Sequence, residues 1–348
     1  MSPARGTPAA IAVSPILSAR IRAGDLERIR TAAPGARIVN LSVEGLADGP
    51  IDDVDVLLRG WLSAEAFDRL LQRSPRLAWV HSATSGVERA LTPAARDRGI
   101  VVTNARGVFS RPIAEHVLML ILAISRRLPQ LLELQRERTW QPLEGVELRE
   151  VTVGVVGYGS IGRAVASLAG AFGARVLALR RNVEARPDSS PDDPADAFPF
   201  RPAPERIVGP DGLHELLGAS DFVVLAAPLT PETDGLIGDA ALAAMRPDGW
   251  LINVARGRLI DDRALLRALE EHRIGGAALD TFREEPLLPS WTSSAITFGA
   301  SPPASRCSTS LIPTRGTESA RSSICDPAWR AGPAIRERDH GACVTLRP

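Results

Sequence analysis

The chain has 348 residues, room for two α/β domains of ordinary size. Its 41 Lys+Arg balance 41 Asp+Glu, so neither nucleic acid nor a charged membrane surface is the expected partner. No apolar run reaches the length of a bilayer, Pro3, Pro8 and Pro15 break the early residues, and Cys307, Cys325 and Cys343 stand in no metal-ligand spacing. A cytoplasmic chain without a metal site or disulfide framework is therefore expected.

Short apolar runs at 11–13, 38–41, 54–58, 77–80 and 100–103 alternate with amphipathic segments. In 63–72 the apolar Ala66, Phe67, Leu70 and Leu71 recur at helical spacing, and 92–98 is a second short helix. Strands alternating with helices imply a parallel sheet covered on both faces. Two loops leave the carboxyl ends of these strands, where ligands of such sheets gather. His81-Ser82-Ala83-Thr84-Ser85-Gly86-Val87-Glu88 is either a carboxylate-holding loop of small residues or an ordinary strand-to-helix turn. Residues 104–107 lead into a long helix at 113–126, with Ile113, Val117, Leu120, Ile121 and Ile124 on one apolar stripe. His116, near its start, reads as a packed, hydrogen-bonded residue rather than a catalyst.

The apolar run 151–156 then enters Gly157-Tyr158-Gly159-Ser160-Ile161-Gly162, a G-x-G-x-x-G turn between a buried strand and a helix starting at about Ser160. The first glycine serves the tight turn, the second lets backbone approach a pyrophosphate, and the third lets the helix pack on the strand. Free N–H groups and the positive end of the helix dipole then face the phosphates, so a dinucleotide site is expected here. The next strand, 175–179, ends in Arg180-Arg181 where an Asp or Glu would bond the ribose 2′-hydroxyl of NAD. A guanidinium pair suits a 2′-phosphate, so NADP is favoured over NAD; the other reading is a solvated strand end.

Residues 187–204, rich in Pro, Asp and Ala, read as a flexible surface loop. Asp211 is expected to cap a short helix carrying Leu213, Leu216 and Leu217. Strand 221–226 is followed by Ala227-Pro228-Leu229-Thr230-Pro231-Glu232-Thr233, which places threonine hydroxyls where a nicotinamide half would sit. A helix at 238–245 and a strand at 250–254 follow, then Ala255-Arg256-Gly257-Arg258. Asp261 caps a helix with Leu265, Leu266 and Leu269, and 276–280 is the last strand before Arg283-Glu284-Glu285-Pro286.

The motifs HSATSGVE, NARGVFSRPIAEH, GVVGYGSIG, APLTPETDGLIG, NVARGRLIDDRALLRALE and GGAALDTFREEP, in this order, resemble the D-isomer-specific 2-hydroxyacid dehydrogenases from about residue 50 to Pro286. The resemblance implies two doubly wound parallel-sheet domains. A flavodoxin-like substrate domain would span 1–105 and a Rossmann NAD(P)-binding domain 106–290, with the active site between them and a homodimer formed through an arm at about 127–148. It implies NAD(P)-dependent reduction of a small 2-oxo acid, or oxidation of a D-2-hydroxy acid. Arg256 would bind the substrate carboxylate and polarise the keto oxygen, and backbone groups at Ser85 and Gly86 would hold the carboxylate from the other side. Asp280 would face the nicotinamide amide. Pro228, Thr233 and Ala255 would line the cofactor site, and Glu285 would pair with a catalytic histidine and raise its pKa.

That histidine, expected in a Pro-His pair near residue 303, is absent: residues 299–305 read Gly-Ala-Ser-Pro-Pro-Ala-Ser. From about residue 290 the chain is dense in Ser, Arg, Pro and Thr, and it contains every cysteine. The tail 291–348 is expected to be disordered, the product of a reading-frame shift near residue 288. The alternative function is therefore a dinucleotide-binding remnant or regulator without the proton donor.

Overall fold

The computed structural model describes residues 7–15, 23–184 and 204–284, all within one compact unit, Met1–Leu311. The first sheet contains β1 (Ala10–Val13), β2 (Arg37–Asn40), β3 (Val54–Arg59), β4 (Trp79–Ser82) and β5 (Val101–Asn104). All pairs are parallel in the order β2-β1-β3-β4-β5, the flavodoxin-like order. Helices α1 (Ala23–Ala32), α2 (Ala64–Arg73) and α3 (Pro93–Asp97) connect the strands. Helix α2 starts where Ser63 Oγ accepts the Ala66 N–H at 3.1 Å. It buries Ala66, Phe67, Leu70 and Leu71, the face that the sequence spacing predicts.

The second sheet contains β6 (Thr152–Val156), β7 (Arg175–Leu179), β8 (Arg206–Val208), β9 (Phe222–Leu225), β10 (Trp250–Asn253) and β11 (Gly276–Leu279). Its order, β11-β10-β9-β6-β7-β8, is two βαβαβ halves meeting between β6 and β9, the Rossmann arrangement. Every residue of β6 and β9 is buried, as a parallel strand covered on both faces requires. On one face α4 (Ser110–Ser125) and α6 (Ser160–Ala171) bring Val117, Leu120, Ile121, Val165 and Ala169 onto Val153 and Val155. On the other, α7 (Leu213–Gly218), α8 (Asp239–Ala244) and α9 (Asp262–Glu270) bring Leu216, Leu242 and Leu265 onto Val156, Leu225 and Leu251. Truncating one of the fully buried leucines, such as Leu120 or Leu251, to alanine would cost about 2–5 kcal/mol. Helix α5 (Leu128–Arg136) buries none of its residues.

Some elements depart from expectation. Strand β4 runs two residues further than expected, taking in His81 and Ser82, because a turn from Ser74 to Leu77 occupies the preceding segment. Asp211 is not a helix cap. Pro210–Gly212 forms a 3-10 turn and Gly212 precedes α7, since the proline fixes a turn one step ahead of the helix. Helix α1 and strand β8 lack a sequence signal: α1 has only Leu26 and Ile29 as large apolar residues, and β8 is a three-residue edge strand without a buried position. The tail, Glu285 and the loop at 187–204, except Pro204, lie outside the described residues. Among the described residues no helix is long and apolar enough to cross a membrane.

Candidate active site

In both parallel sheets the strands end on one edge, and the loops that carry the motifs leave from it. At β6 the three glycines have separate reasons. Gly157 has φ +104°, and a Cβ there would overlap the Ala227 amide nitrogen. Its N–H and that of Tyr158 both donate to the Leu179 carbonyl, at 3.0 and 3.1 Å, which ties the turn to the end of β7. A Cβ on Gly162 would overlap the Gly157 carbonyl oxygen and lie 3.0 Å from Val155 Cγ1. A Cβ on Gly159 would meet nothing within 4 Å. Helix α6 starts at Ser160, so its first N–H groups face that open side, which fits a dinucleotide pyrophosphate. Ile161 packs against the core beneath. Tyr158 stands beside Arg163 and Arg180; burial pushes its phenol pKa up, and the two guanidinium charges oppose that shift.

Arg180 and Arg181 leave β7, and the Arg180 N–H donates to the Val208 carbonyl at 2.9 Å. The Arg181 charge reaches Glu232 in the loop after β9, where a hydrogen bond from Thr230 is the main reason the Glu232 carboxyl is held below its usual range. In the same loop Thr233 Oγ1 donates to the Pro228 carbonyl at 2.7 Å and accepts the Thr230 N–H at 2.8 Å. The Thr233 hydroxyl thus shapes the loop from within.

After β10, buried Asn253 builds the next loop. Its Oδ1 accepts the Ala255 N–H at 3.0 Å and its Nδ2 donates to the Arg256 carbonyl at 2.9 Å. This clamp presents the Arg256 side chain toward the loop after β4. There one guanidinium nitrogen lies 3.4 Å from Glu88 Oε2, and the other donates to the Ala255 carbonyl at 2.6 Å. A Cβ on Gly86 would overlap the guanidinium and lie 2.5 Å from Glu88 Oε2, so the glycine makes this approach possible. Asn104 Nδ2 donates to the Ser85 carbonyl at 2.7 Å, and Thr84 Oγ1 to the Gly86 carbonyl at 2.9 Å. The fixed guanidinium fork suits a carboxylate, and its approach to Gly86 joins the two sheets' loop clusters.

Asp280 leaves β11, its N–H donating to the Asn253 carbonyl at 2.9 Å. Its carboxylate lies 3.9 Å from His116 Nε2. His116, expected to be a packed, hydrogen-bonded residue, is only partly packed, with 37% of its side chain exposed. Gly257 gives room for the chain leaving β11, since a Cβ there would overlap the Phe282 and Arg283 backbone.

Residues 118–298 match the family profile described as D-isomer specific 2-hydroxyacid dehydrogenase, NAD binding domain. A glyoxylate reductase from Thermococcus gammatolerans is 37% identical over 245 residues, 68% of this chain and 69% of that protein. The chain belongs to the D-isomer-specific 2-hydroxyacid dehydrogenase family. Two solved structures agree. A family protein from Aeromonas salmonicida has 27% identity and a TM-score of 0.66 over 82% of this chain and 87% of that one. A D-isomer specific 2-hydroxyacid dehydrogenase from Xanthobacter autotrophicus Py2, in complex with NADPH and MES, has 29% identity and a TM-score of 0.63 over 82% and 85%. This 2-hydroxyacid dehydrogenase therefore has two parallel-sheet α/β domains, one of them a Rossmann NAD-binding domain.

Three contacts of the candidate site escaped the sequence reading: Glu88 as the partner of Arg256, Asn253 as the clamp beneath it, and Asn104 under Ser85. A weak signal marks the asparagines. Both end short strands, where asparagine is disfavoured unless its amide has work to do in the following loop.

Proposed function

We propose that this 2-hydroxyacid dehydrogenase takes NADP(H) in preference to NAD(H) and interconverts a small 2-oxo acid of the glyoxylate or hydroxypyruvate type with its D-2-hydroxy acid. The observation that carries this reading is Arg256, fixed by Asn253 and directed at the loop of Ser85 and Gly86. Arg256 binds the substrate carboxylate and polarises the keto oxygen, stabilising the charge that develops there. Backbone groups at Ser85 and Gly86 hold the carboxylate from the opposite side, which fixes the orientation of the 2-carbon. Gly157, Tyr158, Gly159, Ser160, Ile161 and Gly162 cradle the dinucleotide, with Pro228, Thr233 and Ala255 along its length and Asp280 toward the amide of the nicotinamide. The bound dinucleotide supplies or accepts the hydride at the substrate 2-carbon.

The NADP preference rests on Arg180 and Arg181, whose charges stand at the end of β7 where a ribose 2′-substituent reaches, and the NADPH complex of the Xanthobacter relative supports it. Residues 1–105 form the substrate domain and 106–290 the nucleotide domain. The protein acts in the cytoplasm as a homodimer joined through 127–148, a reading supported by the exposure of Leu128, Leu131 and Leu132 on α5, at 45, 42 and 44%. Following NADPH and NADH oxidation with glyoxylate and with hydroxypyruvate tests the reading. Turnover with NADPH, lost in Arg256→Gln, is expected; an Arg256→Gln enzyme as active as the parent would refute it.

A second reading has its own observation, the missing histidine at 299–305. On that reading the chain binds dinucleotide and substrate but turns over slowly or not at all, as a dinucleotide-binding remnant or regulator. Tight NADPH binding without oxidation on adding either 2-oxo acid would select it.

A further inference from the structure

Glu88 is a carboxylate placed 3.4 Å from the guanidinium that, on the reading above, receives the substrate carboxylate. The two residues are 168 positions apart and on different sheets, so the meeting is a property of the folded site. Both side chains are partly open, 45% exposed for Glu88 and 42% for Arg256, and a bound acid would have both within reach. Arg59, at the carboxyl end of β3, is committed elsewhere. It is buried, donates to the Leu62 carbonyl and lies 5.6 Å over the centroid of the Phe67 ring.

We propose that Glu88 is a charge filter that sets the substrate class: it admits 2-oxo and 2-hydroxy acids whose distal group is neutral and disfavours those carrying a second anionic group. The inference rests on Arg256 as the carboxylate receptor. A substrate carboxylate satisfies Arg256 while Glu88 stays beside it, and a neutral distal hydroxyl can donate to the Glu88 carboxylate. A distal phosphate or carboxylate instead adds a like charge beside the Glu88 carboxylate, a repulsion that solvent at these half-open side chains reduces but does not abolish. Glu88 also competes for Arg256 in the free protein, so a neutral residue there leaves the guanidinium more available to any acid.

The test compares two acids that differ only in the distal group, D-glycerate and D-3-phosphoglycerate. Each is titrated calorimetrically into the full chain saturated with NADPH, which prevents oxidation of the acid. The parent should bind D-glycerate at least about tenfold more tightly. Glu88→Gln should narrow that ratio by about three- to tenfold, and Glu88→Asp, which keeps the charge, should preserve it. The narrowing should shrink as salt is raised. An unchanged ratio in Glu88→Gln, while Arg256→Gln loses both acids, overturns the filter and leaves the receptor standing. If Arg256→Gln binds D-glycerate as the parent does, the receptor reading itself fails. Unaltered NADPH affinity in every variant verifies that each is folded.

Discussion

Replacing Gly86 by alanine separates the geometry of the acid site from the stability of the fold. The added Cβ would overlap an Arg256 nitrogen, with Cζ at 3.1 Å and Glu88 Oε2 at 2.5 Å. The obstacles are the ends of two long, partly exposed side chains, so both can swing aside at little cost to folding. We expect a destabilisation of about 0.5 kcal/mol or less, which for a domain of this size lowers Tm by under about 2 °C. The guanidinium, however, must retreat by roughly 1.5 Å to restore an ordinary contact distance. Misplacement by about 1 Å costs on the order of a hundredfold in rate, and acid binding should fall by about ten- to a hundredfold. Thermal melting paired with calorimetric titration of D-glycerate into the NADPH-saturated chain reads both quantities. A Tm loss above about 5 °C, or D-glycerate affinity equal to the parent's, would refute the reasoning.

The other predictions concern the cofactor turn and one acidic pair. Gly157→Ala meets backbone rather than side-chain ends at φ +104°, so it should lower Tm by several degrees and abolish NADPH binding, checked by melting and fluorescence titration. Arg180→Ala with Arg181→Ala should weaken NADPH about tenfold or more while NADH affinity holds, and equal losses for both would point to a general fault in the site. Asp262 has its carboxyl pKa raised above 3.8, mainly by burial and further by Asp261 and Glu284, against the pull of Arg283. The folded state therefore binds this proton more readily than the unfolded state, and stability falls as pH rises from 3.8 through the raised value. With 60% of the Asp262 side chain open to water and Arg283 3.5 Å away, the effect is small: Asp262→Asn should raise Tm at pH 7 by no more than about 1 °C, with the gain vanishing below pH 3.8, and a clear loss of Tm at pH 7 would contradict this.

The parts of this site that were legible in the sequence are those whose chemistry is local. Gly157, Gly159 and Gly162 declare a turn because strand, turn and helix are contiguous, and the positive φ of Gly157 and the close packing at Gly162 agree with that turn. Asp261 reads as a cap, and its side chain accepts the Arg263 and Ala264 N–H groups at 2.9 and 3.1 Å. The contact of Glu88 with Arg256 depends on two loops brought together by two sheets, and no periodicity along the chain encodes it. Helix α1 was invisible for a different reason. It has few large apolar residues, and it is held by contacts such as Ile29 against the cluster of Ile11 and Val56 rather than by a wide apolar stripe. Propensity and pattern are weak where tertiary packing decides the outcome.

The same division bears on whether the chain turns over. The groups assigned to binding, from Ser85 to Asp280, fall within the described fold, whereas Glu285 lies just outside the described residues and the position expected for its histidine falls in the segment where the composition changes. On the proposed reading, binding and proton transfer are therefore carried by different parts of the sequence and can be measured separately. Reduction of a 2-oxo acid requires a proton at the keto oxygen as hydride arrives at carbon, and a positioned general acid contributes about 10²–10⁴-fold to that step. On the proposed reading Arg256 would polarise the oxygen, and the proton would have to come from another group. We expect NADPH and D-glycerate binding to be intact, and glyoxylate reduction to run below the usual enzyme range of about 1–10³ s⁻¹. Added imidazole should accelerate it in proportion to the imidazolium concentration, more strongly at pH 6 than at pH 8. Stopped-flow single turnover with and without imidazole measures this directly. A rate within the usual range without imidazole would mean that a histidine of this chain, His116 beside Asp280 or His340, already supplies the proton. Substituting each by Gln would then identify the donor.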